Sequence, residues 1–273
     1  MRLLFFFIVA GSIWAAYFLI IRMRRQARRR LILEQPFPDE WVEILKQNLP
    51  PYTRLSADLR QELHQDIKIF LSEKSFEGCG GLTITDEIRV TIAAQACMLL
   101  FNRKDDCYPK LYSVLVYPST YIAGGKGLFS NKSEPKSVRL GESWGHGVVV
   151  LSWDSVKQGA FNFNDGHNVT MHEFAHQLDQ EDGVADGAPI LESRSSYASW
   201  ASVLSHEFEN LKRDKKRWRK TVMNKYGASN PAEFFAVASE SFFEKPRQLK
   251  KKHPELYEEL KFYFHTDPYS WMG

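Results

Sequence analysis

Residues 172–176, His-Glu-Phe-Ala-His, constrain this chain more than any other stretch. On a helix, positions i and i+4 lie about 40° apart around the axis, so both imidazoles leave one face. That spacing lets two neutral ring nitrogens bind one zinc ion, with the Glu173 carboxylate beside them to take a proton from a metal-bound water. The flanks favour a helix: Asn168 or Thr170 can cap its start, and Ala175 and Leu178 continue an apolar stripe.

A catalytic zinc site needs a third protein ligand and an open fourth position. A histidine six residues after His176, with a glycine between, would mark the metzincin pattern; those places hold Asp182 and Asp179. Asp182 is a candidate ligand, although it also fits the acidic turn DQEDGVADG. Asp179 either orients a ligand imidazole or closes that turn. The segment NPAEFFAVASE offers Glu233 and Glu240, seven apart on one face of a helix capped by Asn230 and opened by Pro231. The apolar FFAVA around them buries that face, and a buried carboxylate needs a partner, for which a metal is well suited.

The N-terminus carries a second strong signal. Residues 3–21, LLFFFIVAGSIWAAYFLII, are uncharged and almost wholly apolar. As a helix they would span roughly 28 Å, close to the hydrocarbon thickness of a bilayer. The next nine residues, RMRRQARRR, hold six arginines. A cleaved signal peptide has its charge before the apolar run, not behind it. The expectation is a transmembrane anchor over residues 1–21, a basic juxtamembrane linker over 22–34, and the remainder from 35 to 273 on the cytoplasmic face of the inner membrane.

The whole chain has a formal charge of +3; the seven arginines within residues 1–30 leave 31–273 at −4. A mildly acidic body argues against nucleic acid as a direct partner. One basic run, KRDKKRWRK over 212–220, reads as a solvated helix face. Three cysteines fit neither a disulfide framework nor a thiolate zinc site, and lean towards a reducing compartment.

No repeat or low-complexity linker interrupts the body, which Pro36 and Pro38 open. Helices are expected over 39–48, over 56–73 with Ser56 as cap, from Thr85 through an apolar buried stretch, and over 194–211, 231–244 and 254–264. Strands are expected over 111–117 and 148–153, with a short one after the glycines of GCGGLTIT. That order implies an α+β fold, mainly helical with a small β-sheet.

The segments FEGCGGLTITDEIRVTIAAQACMLL, GESWGHGVVVLSW, GHNVTMHEFAHQLDQEDGVADGAP and NPAEFFAVASESFF resemble the Mlc titration factor A family of zinc peptidases, over about residues 35–270. That family is similar around its site to the anthrax lethal factor catalytic domain. The resemblance implies a zincin-like (gluzincin) metallopeptidase: His172, His176 and Glu233 as zinc ligands, Glu173 as catalytic base, and Tyr226, seven residues before Glu233, as a catalytic tyrosine. It implies aminopeptidase activity on small substrates and, as a regulatory partner, a DNA-binding transcriptional repressor. The N-terminal apolar segment departs from the founding member. Two function classes therefore stand: a peptidase acting on a peptide or protein substrate, and a binding protein that captures a regulator.

Overall fold

The computed structural model describes residues 2–103, 107–119 and 147–271, apart from the side chains of 2–10 and 12. The chain divides into two compact units, residues 1–37 and 38–273.

The first unit is one helix, α1 (Arg2–Glu34). It corrects the expected architecture of a zincin-like domain behind a transmembrane helix, and with it the membrane partner assigned to residues 3–21. Among the described residues no helix is long and apolar enough to cross a membrane. The apolar run does not end as a separate span; α1 carries it without a break through the arginine block. Within α1, any stretch of about 18 residues that starts at residue 13 or later takes in all six arginines of 22–30, each costing about 2.5–3.5 kcal/mol at a bilayer centre. Nearly half of the run, residues 3–10 and 12, lies outside the described side chains.

The second unit is mostly helical. It runs α2 (Asp39–Asn48), a 3-10 turn (Pro50–Arg54), α3 (Ala57–Glu73), β1 (Ser75–Gly78), α4 (Asp86–Met98), β2 (Ser113–Tyr117), β3 (Val148–Ser152), α5 (Trp153–Phe161), α6 (Val169–Asp179), α7 (Arg194–Lys216), α8 (Pro231–Glu244), α9 (Pro246–Lys252) and α10 (Pro254–Phe264). The starts follow from local chemistry. Side-chain oxygens of Ser56, Thr85, Asn168, Ser193 and Asn230 accept backbone N–H groups at the first turns of α3, α4, α6, α7 and α8.

The three strands form one sheet in the order β1-β2-β3, parallel throughout, with Ser75 opposite Ser113 and Ser113 opposite Val148. Parallel neighbours need a crossover, and α4 supplies it between β1 and β2. The strand expected after the glycines is absent. Gly80 and Gly81 take φ of 61° and 83° and turn the chain. The returning Leu82 carbonyl comes so close to Gly78 that a Cβ there would sit 1.9 Å from its oxygen. The edge strand therefore lies before the turn. Trp153, expected to end a strand, opens α5 instead.

The core wraps α4, where Val90, Ile92, Ala93, Ala94, Ala96, Cys97 and Met98 have no exposed surface. Phe174 of α6 anchors that helix between Phe70 and Tyr108, with ring centroids 5.7 and 4.9 Å away. On the other side, α8 is buried along its length from Glu233 to Glu244. Its Phe235, Phe242 and Phe243 pack against Phe264 of α10. A fully buried phenylalanine contributes about 1.5–3 kcal/mol, so these rings anchor α6 on one side and α8 on the other despite the carboxylates α8 carries inward. All three cysteines are free thiols.

Candidate metal centre

Two helices build the site. Helix α6 presents His172, Glu173 and His176; helix α8 presents Glu233 one turn from its start and Glu240 two turns later. The Nε2 atoms of His172 and His176 are 3.2 Å apart, and Glu233 Oε2 lies 3.0 Å from the first and 3.6 Å from the second. Four ligands about 2.0–2.1 Å from a tetrahedral ion sit about 3.3–3.4 Å from one another, so this triangle has the dimensions of three such ligands.

The far side of His172 fixes the orientation of its ring. Its Nδ1 is 2.7 Å from Glu240 Oε1, where Nδ1–H donates to the carboxylate and turns Nε2 to the triangle; without an ion Nε2 carries a proton shared with Glu233, and a metal would take that proton's place. The other Glu240 oxygen accepts the Asn168 N–H at 2.6 Å, so one buried carboxylate holds both the imidazole and the N-cap of its helix. Three electron-rich atoms then face one point, an arrangement that calls for positive charge there. His172, His176 and Glu233 are the three residues whose ligand atoms could hold a metal ion among the described residues.

The electrostatics agree. Burial would lower His172, but the Glu233 and Glu240 carboxylates raise it well above its ordinary value. Burial also works against ionising Glu233, yet hydrogen bonds from the two imidazoles hold it far below the usual carboxylate range. His176 is lowered by burial. Glu173, 5% exposed, is pushed up to about 7 by burial, with His172 opposing and Glu233 and Glu240 adding. A carboxylate poised there is matched to taking and returning protons near neutrality.

Tyr226 sits on a 3-10 turn (Lys225–Ala228), and its Oη donates to Glu233 Oε1 at 3.3 Å. Burial and the nearby Glu233 push the phenol up to about 12, so it stays a donor. The remaining candidates lie elsewhere. Asp182 is exposed and accepts the Val184 N–H. Asp179 Oδ2 accepts the Gly187 N–H at 3.0 Å, which closes the acidic turn. Gly187 is itself a close-approach position: its φ is 79°, a Cβ there would lie 2.5 Å from the Pro231 carbonyl oxygen, and its own carbonyl accepts from Trp200 Nε1.

The sequence reading missed how Glu240 and Glu244 work. From the sequence Glu240 reads as a ligand or as a salt-bridged or helix-dipole carboxylate, not as the group that orients a ligand ring. Glu244 Oε2 accepts the N–H groups of Gly166 and His167, fixing the loop that enters α6. The signal available was the spacing of Glu233, Glu240 and Glu244 along one buried helix face.

Residues 22–265 match the model of a family described as glucose-regulated metallo-peptidase M90. An uncharacterised protein of Synechocystis sp. is 40% identical over 246 residues, covering 88% of this chain and 89% of its own. Proteins named Mlc titration factor A from Yersinia pestis and Yersinia pseudotuberculosis are each 31% identical over 237 residues, covering 84% of this chain and 85% of theirs.

Proposed function

The chain belongs to the M90 family of metallopeptidases, and we propose on that premise that it is a zinc-dependent peptidase working through Glu173. The observation that carries this reading is the triangle of His172, His176 and Glu233 donor atoms beside a buried glutamate held near neutrality. The two imidazoles and the Glu233 carboxylate would hold zinc, leaving one position of a tetrahedron open. Bound there, zinc supplies Lewis acidity that acidifies water and polarises a peptide carbonyl.

The chain's own groups do the rest. The Glu173 carboxylate takes the proton from the attacking water and returns it to the leaving amine. Tyr226 Oη, a donor beside Glu233, turns to the oxygen that gains charge in the tetrahedral step. Glu240 holds the His172 ring in the ligand tautomer. A protein that only captures a regulator needs no base beside its ligands, so the buried Glu173 favours the enzyme over the repressor partner suggested by the relatives' name.

The test is cleavage of a peptide library by the zinc-loaded chain, with Glu173→Gln as control. Hydrolysis that tracks zinc content and vanishes in Glu173→Gln supports the reading, and the cleavage positions decide whether the aminopeptidase mode holds. No cleavage by the wild type, or equal cleavage by the variant, sinks it.

A further inference from the structure

Helix α7 ends in a Schellman arrangement, with Arg219 N–H on the Asp214 carbonyl and Trp218 N–H on the Lys215 carbonyl. The residue placed in the left-handed conformation of such an ending is usually glycine. Here it is Trp218, with φ of 55° and 88% of its surface exposed. A bulky aromatic is both strained and poorly placed for packing at that position.

Its surroundings are as unusual. Residues 212–225 hold eight lysines and arginines and one acid, Asp214, in a body that is −4 overall. Residues 215–220 are all exposed. Asp214 takes Arg219 at 3.6 Å and Glu209 takes Lys212, which leaves Lys215, Lys216, Arg217 and Lys220 without a carboxylate partner among the described residues. Favourable interaction with the α7 dipole accounts for cations in the last turn. It accounts neither for Arg217 to Lys220 beyond the helix end nor for an exposed tryptophan. The patch also adjoins the metal centre: Lys225 Nζ lies 5.9 Å from the Trp218 ring centroid, and the next residue is Tyr226, which reaches Glu233.

We propose that Trp218 and the cations around it dock an acidic polypeptide segment of the substrate, flanking the bond delivered to the metal centre. Tryptophan and arginine are the side chains that most often dominate protein contacts, and unpaired cations select acidic partners. The net acidity of the body and the adjoining site favour a polypeptide over a nucleic acid or a lipid surface. The inference rests on the peptidase reading for its substrate, but the docking step needs neither metal nor turnover.

The experiment compares two fluorescent peptides with one scissile sequence, one flanked by six glutamates and one by six glutamines, on the zinc-loaded full chain. KM for the acidic peptide is expected to be at least about tenfold lower, with similar kcat. Trp218→Gly should raise that KM to the level of the glutamine peptide, leave turnover of the glutamine peptide unchanged, and keep or raise Tm, because glycine relieves the left-handed strain. Lys216→Glu with Lys220→Glu should do the same to KM. Arginines 22–30 are present in every variant, so the differences report this patch alone. Equal KM values for the two peptides, variants without effect on KM, or a fall in Tm for Trp218→Gly would overturn the proposal. Anisotropy of the same peptides separates the two readings: Trp218-dependent binding without cleavage refutes only the peptidase. Tighter Trp218-dependent binding of a 20-base-pair duplex or phosphatidylserine vesicles refutes the polypeptide partner.

Discussion

Replacing Glu240 by glutamine changes one oxygen to an amide NH2 and almost nothing in volume. Both Glu240 oxygens now accept: Oε1 from His172 Nδ1 at 2.7 Å and Oε2 from the Asn168 N–H at 2.6 Å. Glutamine has a single acceptor for two donors. If its NH2 faces Asn168, a buried N–H is left unpaired at the start of α6, at a cost of about 1–3 kcal/mol in stability. If it faces His172, the ring is driven to the tautomer that carries hydrogen on Nε2, aimed at His176 and Glu233. Either way zinc affinity should fall about 10–100-fold, the usual effect of losing an outer-shell acceptor, or about 1.4–2.7 kcal/mol. Competition with a fluorescent zinc chelator at fixed pH measures it, with urea unfolding of the same samples recording the stability cost. Zinc affinity within twofold of wild type, with the fold intact, would refute the account of Glu240.

Other outcomes follow from the same geometry. Glu173→Gln should keep zinc and Tm while hydrolysis falls by several orders of magnitude; retained turnover in a stopped assay would count against the base assignment. Tyr226→Phe should lower kcat by about 10²–10³ with zinc content unchanged, the usual loss for one donor to developing charge, and a rise in KM with kcat unchanged would contradict it. Chelation should abolish hydrolysis and zinc alone should restore it, followed on one peptide substrate; recovery with no added metal argues the other way. Asp179 is pushed up to about 7 and Glu244 up to about 8, in both cases mainly by burial. The folded chain then holds these protons more tightly than the unfolded one. That stability is full below about pH 4 and is lost as pH rises through 7 to 8. The urea midpoint should fall between pH 6 and pH 8.5, and Glu244→Gln should flatten the fall; an unchanged slope in the variant would exclude Glu244 as its source.

Local signals in the chain were legible. Ser56, Asn168 and Asn230 cap the helices assigned to them, and α2, α8 and α10 run over the expected residues, because capping and apolar periodicity act within a few positions. The convergence of His172, His176 and Glu233 was legible through a spacing rule and a family resemblance. What escaped depends on contacts between distant segments. The β1 edge lies at Ser75–Gly78 because it pairs with β2, thirty-eight residues on, while the isolated sequence drew the strand to Thr83 and Ile84. Glu240 looks like a ligand from its spacing alone; only the approach of α6 turns its carboxylate to the outer nitrogen of His172. At the N-terminus, the change from apolar to basic residues suggested two elements where one helix runs through.

The packing at Gly187 bears on how this site can decay in descent. A methyl group there would meet the Pro231 carbonyl, and Pro231 opens the turn that carries Glu233. A replacement of this glycine strains its φ of 79° and presses on the turn that carries Glu233, while leaving His172, Glu173 and His176 intact to the eye. Position 187 therefore reports on the seating of α8 against α6, which the five-residue motif, confined to α6, does not.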